Sequence, residues 1–193
     1  MKKIIIIIYI LSNTIVYSQN EINWDSKYQL QQSDFQSPST QIGNTNIYNL
    51  SISSGFEFSF SMSNVEFMFT KNFNTKVSNA FKPKNAAIVA SDIETAKYLI
   101  DFAQFQFNLS ELYARILRKR LYEGKKTFSN ISFFKPIYNE IQNEYSQRIT
   151  NASKETEIGK KKEKLKLLQE QVLKEIDELS NFCKECKIPK KLK

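Results

Sequence analysis

Residues 92–124 read DIETAKYLIDFAQFQFNLSELYARILRKRLYEG. Asp92 is of a type that caps helices, and Thr95 and Ala96 fall inside the first turns. Ala96, Leu99, Ala103, Gln106, Ser110 and Tyr113 then recur at spacings of three and four. The pattern continues through Ile116, Leu117 and Leu121 until Gly124 stops it. The spacing predicts one long helix over 92–122.

Upstream the period changes to two. Ile47 to Ile52 forms a candidate strand, and Ser53-Ser54-Gly55 reads as a turn. Phe56, Phe58, Phe60 and Met62 alternate with Glu57, Ser59 and Ser61, which puts the apolar set on one face of a half-buried strand. Ser63-Asn64 reads as a tight connection, after which Val65, Phe67 and Phe69 resume the alternation, so an antiparallel β-meander is expected. Before it, residues 20–44 are polar and turn-rich, with Trp24, Tyr28, Leu30 and Phe35 as scattered anchors and Ser37-Pro38-Ser39 as punctuation. Downstream, Ile137, Ile141, Tyr145 and Ile149 place a shorter helix after Pro136. A last helix is expected over 160–182, with Leu165, Leu168, Val172, Leu179 and Phe182 on one face. Strands first and helices after, without alternation, argue α+β: a meander packed on C-terminal helices. No internal repeat is visible.

The 193 residues include 28 Lys+Arg, 20 Asp+Glu, 2 Cys and no histidine. That size suits one domain with a core of its own. The missing histidine excludes His-based triads, His general bases and His metal ligands. Residues 1–18, MKKIIIIIYILSNTIVYS, have a cationic start, eight apolar residues from Ile4 to Leu11 and a Val16-Tyr17-Ser18 end. Eight apolar residues are too few to span a bilayer core, which needs about 20 in helical form. The segment reads as a secretory signal peptide, leaving residues 19–193 as an exported protein, periplasmic or extracellular, without an integral membrane segment.

The formal charge of +8 falls to +6 without Lys2 and Lys3. Much of the remainder lies in 154–193, where 12 lysines face 8 acids. The run Lys160-Lys161-Lys162-Glu163-Lys164 mixes in Glu and lacks the interleaved aromatics and Arg of a nucleic-acid site, so it reads as a solvated helix face with no nucleic-acid partner. Cys183 and Cys186 are too few for a tetrahedral zinc site, and in an oxidising compartment they read as a local disulfide fastening the tail.

The run from Phe107 to Arg118, with Phe107, Glu111, Leu112, Tyr113, Ala114, Arg115, Leu117 and Arg118, resembles a family of predicted secreted bacterial zinc-dependent proteases. There, His-Glu-x-x-His is followed directly by a Glu-Leu-Tyr-Ala-Arg segment. Trp24 and Asp34-Phe35 resemble the family's N-terminal signature, Ser53-Ser54-Gly55 its first hairpin, and Glu155-Thr156-Glu157-Ile158-Gly159 the segment that supplies a third histidine. The resemblance spans nearly all of residues 19–193 and implies a single metallopeptidase-like domain with a zincin-like long helix. In such a site, two His four apart on a helix grip zinc, and the adjacent Glu polarises a metal-bound water.

Carried onto this chain, the first ligand position is Phe102, the base position Ala103, the second ligand Gln106 and the third Ile158. Phe, Ala and Ile have no lone pair to offer, and an amide is a poor zinc ligand beside imidazole. Asp101, Gln104 and Asn108 lie nearby at a spacing that makes no nitrogen or sulfur cage. The resemblance therefore implies a degenerate member with no metal, no cofactor and no catalytic residue, in which Glu111, Tyr113 and Arg115 remain as inherited scaffold. Arg115 is expected to pair with Glu111 at i, i+4, a contact worth a few tenths of a kcal/mol. On periodicity alone the helix, with Phe102, Phe105 and Phe107, reads better as an ordinary core helix with no enzymatic ancestor, and it is the Glu-Leu-Tyr-Ala-Arg run that tips the reading toward the protease fold. The leading expectation is a non-catalytic, exported pseudoenzyme serving as a binding or structural module, any protein partner being unknown. One alternative is an enzyme with a histidine-free carboxylate site built from Asp101, Glu111 or Glu144; another is a protein that docks a partner through its basic C-terminal helix.

Overall fold

A computed structural model describes residues 21–189. The signal peptide read at 1–18 lies outside the described residues. The strands are β1 (Ile22–Asn23), β2 (Gln41–Ile42), β3 (Asn49–Ser51), β4 (Ser54–Phe58), β5 (Val77–Phe81) and β6 (Ala87–Ala90); the helices are α1 (Asn64–Phe69), α2 (Ile93–Gly124), α3 (Phe134–Thr156) and α4 (Lys162–Glu178). Small sheets precede a helical half, so the architecture is α+β.

The strands do not form the expected meander. One sheet has the order β1-β5-β4 and is antiparallel, with Phe56 opposite Asn79 and Ile22 opposite Phe81. The other has the order β2-β6-β3, β3 antiparallel and β2 parallel to β6. Ser54 and Gly55 therefore do not turn a hairpin. They already belong to β4, and the chain changes sheets between Ser51 and Ser54. The pairing is decided by β5 and β6, the central strands, whose short, largely buried runs Val-Ser-Asn-Ala-Phe and Ala-Ile-Val-Ala carry a weak periodic signal.

The second departure is Asn64–Phe69, which is helical rather than extended. The Ser63 hydroxyl accepts from the Glu66 backbone N–H at 3.2 Å, an N-cap that stabilises the first turn by about 1 kcal/mol. Ser-x-x-Glu is a helix-start signature, and over six residues it outweighs an apolar alternation. The stripe before it keeps its face: β4 ends at Phe58, yet Phe56 is buried and Phe58, Phe60 and Met62 all pack on the same core.

α2 is the axis of the molecule. Asp92 accepts from the Thr95 N–H at 2.7 Å, and the helix runs 32 residues, about 48 Å, to Gly124. It packs on β4, β5, β6, α3 and α4. Between Phe102 and Arg115 every side chain except Gln106 is buried, as expected of a helix enclosed on all sides. α3 begins two residues before Pro136. The expected 160–182 helix is instead α4 followed by a 3-10 turn over Ser180–Phe182. The described residues contain no helix long and apolar enough to cross a membrane.

Candidate functional site

Successive faces of α2 meet different surroundings. One face presents Phe102, Phe105 and Leu109 to a cluster completed by Phe73, Val77, Ile141, Leu165, Val172 and Ile176. Another presents Leu99, Ala103 and Phe107 to Leu30, Phe35, Phe81 and Ile88 under the sheets. Burying a Phe or Leu of this kind contributes about 1.5–3 kcal/mol.

The resemblance singled out four positions, and two of them, Phe102 and Ile158, come together at the first face. α3 is followed by three consecutive residues with positive φ, Glu157 (49°), Ile158 (53°) and Gly159 (92°), a turn held by the Ile158 N–H bonded to the Ser153 carbonyl at 3.0 Å. The turn lies directly on α2: a Cβ on Gly159 would stand 2.4 Å from the Tyr98 carbonyl oxygen and 3.0 Å from the Phe102 Cβ. Ile158 packs against both clusters, Phe102 is 2% exposed, and Ala103, on the neighbouring face, is fully buried. Gln106, one turn beyond Phe102, is half-buried, and its Oε1 is enclosed without a hydrogen-bond partner. A zinc ion does not fit this donor set. Three of the four positions are hydrocarbon, the fourth offers an amide, and no step of metal chemistry can be built on them. Among the described residues no cluster of three or more Cys, Asp or Glu side chains could hold a metal ion.

A polar stripe occupies a third face. Gln104, Asn108, Glu111, Arg115 and Arg118 follow one another at spacings of four, three, four and three, so they line up along the helix. The Leu30 N–H donates to Gln104 Oε1 at 2.7 Å, and the Trp24 indole donates to Asn108 Oδ1 at 2.8 Å, pinning the N-terminal segment to α2. Arg115 Nε and Arg118 Nη1 both donate to Glu111 Oε1 at 3.0 Å. Arg115 also reaches the Ile176 carbonyl at 2.8 Å, and Arg118 the carbonyls of Val77 at 2.8 Å and Phe182 at 3.1 Å. Burial pushes the Arg118 guanidinium below its ordinary value, with the Glu111 carboxylate opposing.

The predicted Glu111–Arg115 pair is thus present, but as part of a buried three-charge network rather than a surface contact. Leaving one of these charges alone would cost about 3–5 kcal/mol, not a few tenths. Arg118 was the residue overlooked as a partner; its position seven after Glu111 was the available signal. The network floors a cleft of about 390 Å³, with Trp24, Cys183 and Lys184 among its walls and the Arg115 guanidinium 5.4 Å from the Trp24 ring.

Tyr113 faces the opposite way, edge-on to Tyr145 at 5.6 Å. Burial raises both hydroxyls, Tyr145 to about 12, and Arg148 opposes the rise at Tyr113. The candidate carboxylates serve separate clusters: Glu111 belongs to the buried network, and Glu144 takes a two-pronged contact from Arg120 at 2.8 and 3.0 Å. Asp101 lines a cleft of about 340 Å³ between α2 and α4; partial enclosure raises its carboxyl and Lys97 and Lys162 oppose this. Cys183 and Cys186 are joined as a disulfide, and the Cys186 carbonyl accepts from Asn74 Nδ2 at 2.9 Å. No family description, curated protein or solved structure matches the chain.

Proposed function

We propose that this chain is an exported, non-catalytic relative of the zinc-dependent proteases its Glu-Leu-Tyr-Ala-Arg run resembles, a pseudoenzyme that works as a binding or structural module. The observation that carries the reading is the packing of the Ile158–Gly159 turn onto Phe102, with Gln106 one turn away. In support of it, Phe102 and the Ile158–Gly159 turn, more than 50 residues apart in the sequence, are in contact, and both Phe102 and Ile158 bring hydrocarbon to that contact. Hydrocarbon in place of ligands favours stability over metal affinity, since buried polar ligands without their ion carry a desolvation cost.

The backbone at position 158 supports the ancestry independently. Ile158 sits at φ 53°, where a β-branched residue is an outlier, whereas Asn, Asp and His are several-fold enriched among residues that adopt it. A histidine would occupy that turn with less strain than the isoleucine now there. The tail disulfide is in keeping with an oxidising compartment, where exported proteins reside. The carboxylate-enzyme alternative has less behind it, because Glu111 and Glu144 are each neutralised by arginines.

Metal analysis of protein purified from an exporting host, after equilibration with zinc, tests the loss of the site. The expected result is no stoichiometric zinc and a melting temperature indifferent to chelator. A stoichiometric, chelator-sensitive ion would overturn the proposal. A second arm tests ancestry: F102H/A103E/Q106H/I158H should acquire one zinc per chain while the wild type stays empty. If that variant folds, by circular dichroism, and still binds none, the protease descent is wrong.

A further inference from the structure

Two short segments that lie side by side carry large apolar groups the core does not use. In α1, Phe67 turns inward while Val65, Met68 and Phe69 remain in solvent, Phe69 with 83% of its surface exposed. Beyond α2 the chain bends through 125–133, and there Phe128 is 91% exposed. The segments adjoin: Lys125 Nζ lies 4.4 Å from the centre of the Phe67 ring, and Phe67 packs on Phe133 at 5.8 Å. They share a shallow groove, with Met68, Phe69 and Lys71 on one side and Lys126 and Thr127 on the other. Glu123 also lines the groove, while Glu66 is drawn aside by Lys76 at 3.8 Å.

A single exposed apolar side chain needs no explanation, but two phenylalanines at neighbouring tips, with lysines beside them, form a patch. With more than four-fifths of each residue's surface in water, the protein buries neither side chain, even though Phe69 borders the groove, and a rigid partner would need two pockets in matching register. A lipid headgroup layer deforms to admit aromatic tips, and lysines beside them meet anionic headgroups. We propose that this edge rests on an anionic lipid bilayer, Phe69 and Phe128 entering the interfacial layer and Lys71 and Lys126 contacting headgroup phosphates. The inference does not depend on the protease ancestry.

Co-sedimentation with phosphatidylcholine vesicles, with and without about one-quarter phosphatidylglycerol, tests it, on wild type and variants sharing one N-terminus fixed by mass. The wild type should bind the anionic vesicles roughly tenfold more tightly than the neutral ones, and weaken in high salt. F69S/F128S should lose roughly tenfold or more in binding with an unchanged melting temperature, because neither ring supports the fold. K71Q/K126Q should retain weak binding but lose the preference for anionic vesicles. Wild-type binding to neither vesicle, or F69S/F128S binding as wild type does, would overturn the proposal. So would a concentration-dependent dimer abolished by F69S/F128S, which would assign the patch to a second copy of the chain.

Discussion

Gly159 is the residue on which the candidate site turns. Its φ of 92° is one that L side chains rarely adopt, and the Tyr98 carbonyl oxygen stands where a Cβ would go. The only residue type that lets the α3–α4 connection touch α2 here is therefore glycine. Gly159→Ala should cost about 3 kcal/mol, the sum of backbone strain and of the displacement needed to clear the carbonyl, read from urea unfolding of both proteins. A loss below about 0.5 kcal/mol would mean that the turn can back away, and that the contact between position 158 and Phe102 is incidental. Gln106 differs in kind: its unpartnered Oε1 is a local cost carried inside an otherwise well-packed face.

At the scale of elements, what was legible depended on how long each pattern ran. α2 was readable from cap to stop, because 32 residues of spacing at three and four, with Asp92 before and Gly124 at the end, admit no other structure. Six residues at Asn64–Phe69 admit two, and the cap at Ser63 decided between them. β5 and β6 escaped notice because four or five buried residues carry little period, and pairing between distant strands is not written in either strand alone. Three positions of the candidate site were legible as places on one helix, but the contact of the Gly159 turn with that helix was not, since it depends on a backbone conformation.

The helix pairings are electrostatic as well as apolar. Arg148 donates to both oxygens of Glu175 at 2.7 and 2.8 Å, joining α3 to α4. The guanidinium holds the Glu175 carboxyl below its ordinary 4.5, and Glu175 raises Arg148 in turn. A carboxyl depressed in the folded state stabilises fully above its unfolded value, and that stabilisation is lost as pH falls through the folded one. The pair is partly solvated, so its worth is about 1 kcal/mol. Wild type should therefore melt above Glu175→Gln at neutral pH, and the gap should narrow as pH falls progressively below 4.5. A gap of unchanged size as pH falls would show that packing, not charge, separates the two proteins.

Across the whole molecule, α2 depends for its stability on the C-terminal segment. α4 covers it with Leu165, Val172 and Ile176, each contributing about 1.5–3 kcal/mol by burial. The same helix and the turn after it supply the carbonyls of Ile176 and Phe182 that Arg115 and Arg118 bond. A chain ending at Lys161 would expose the apolar face and leave two guanidiniums short of acceptors, a loss comparable to the 5–15 kcal/mol that holds a typical domain. It should lose its near-ultraviolet circular dichroism and bind a hydrophobic dye. C183S/C186S removes a covalent bond from the same region yet should cost about 2 kcal/mol or less, because so short a ring restrains the unfolded chain little. The captures of the Phe182 and Cys186 carbonyls, by Arg118 and Asn74, remain in that variant. If C183S/C186S instead unfolds as thoroughly as the truncated chain, the tail is held by its sulfur bridge. The buried arginine network would then be a consequence of the fold of the C-terminal segment rather than its cause.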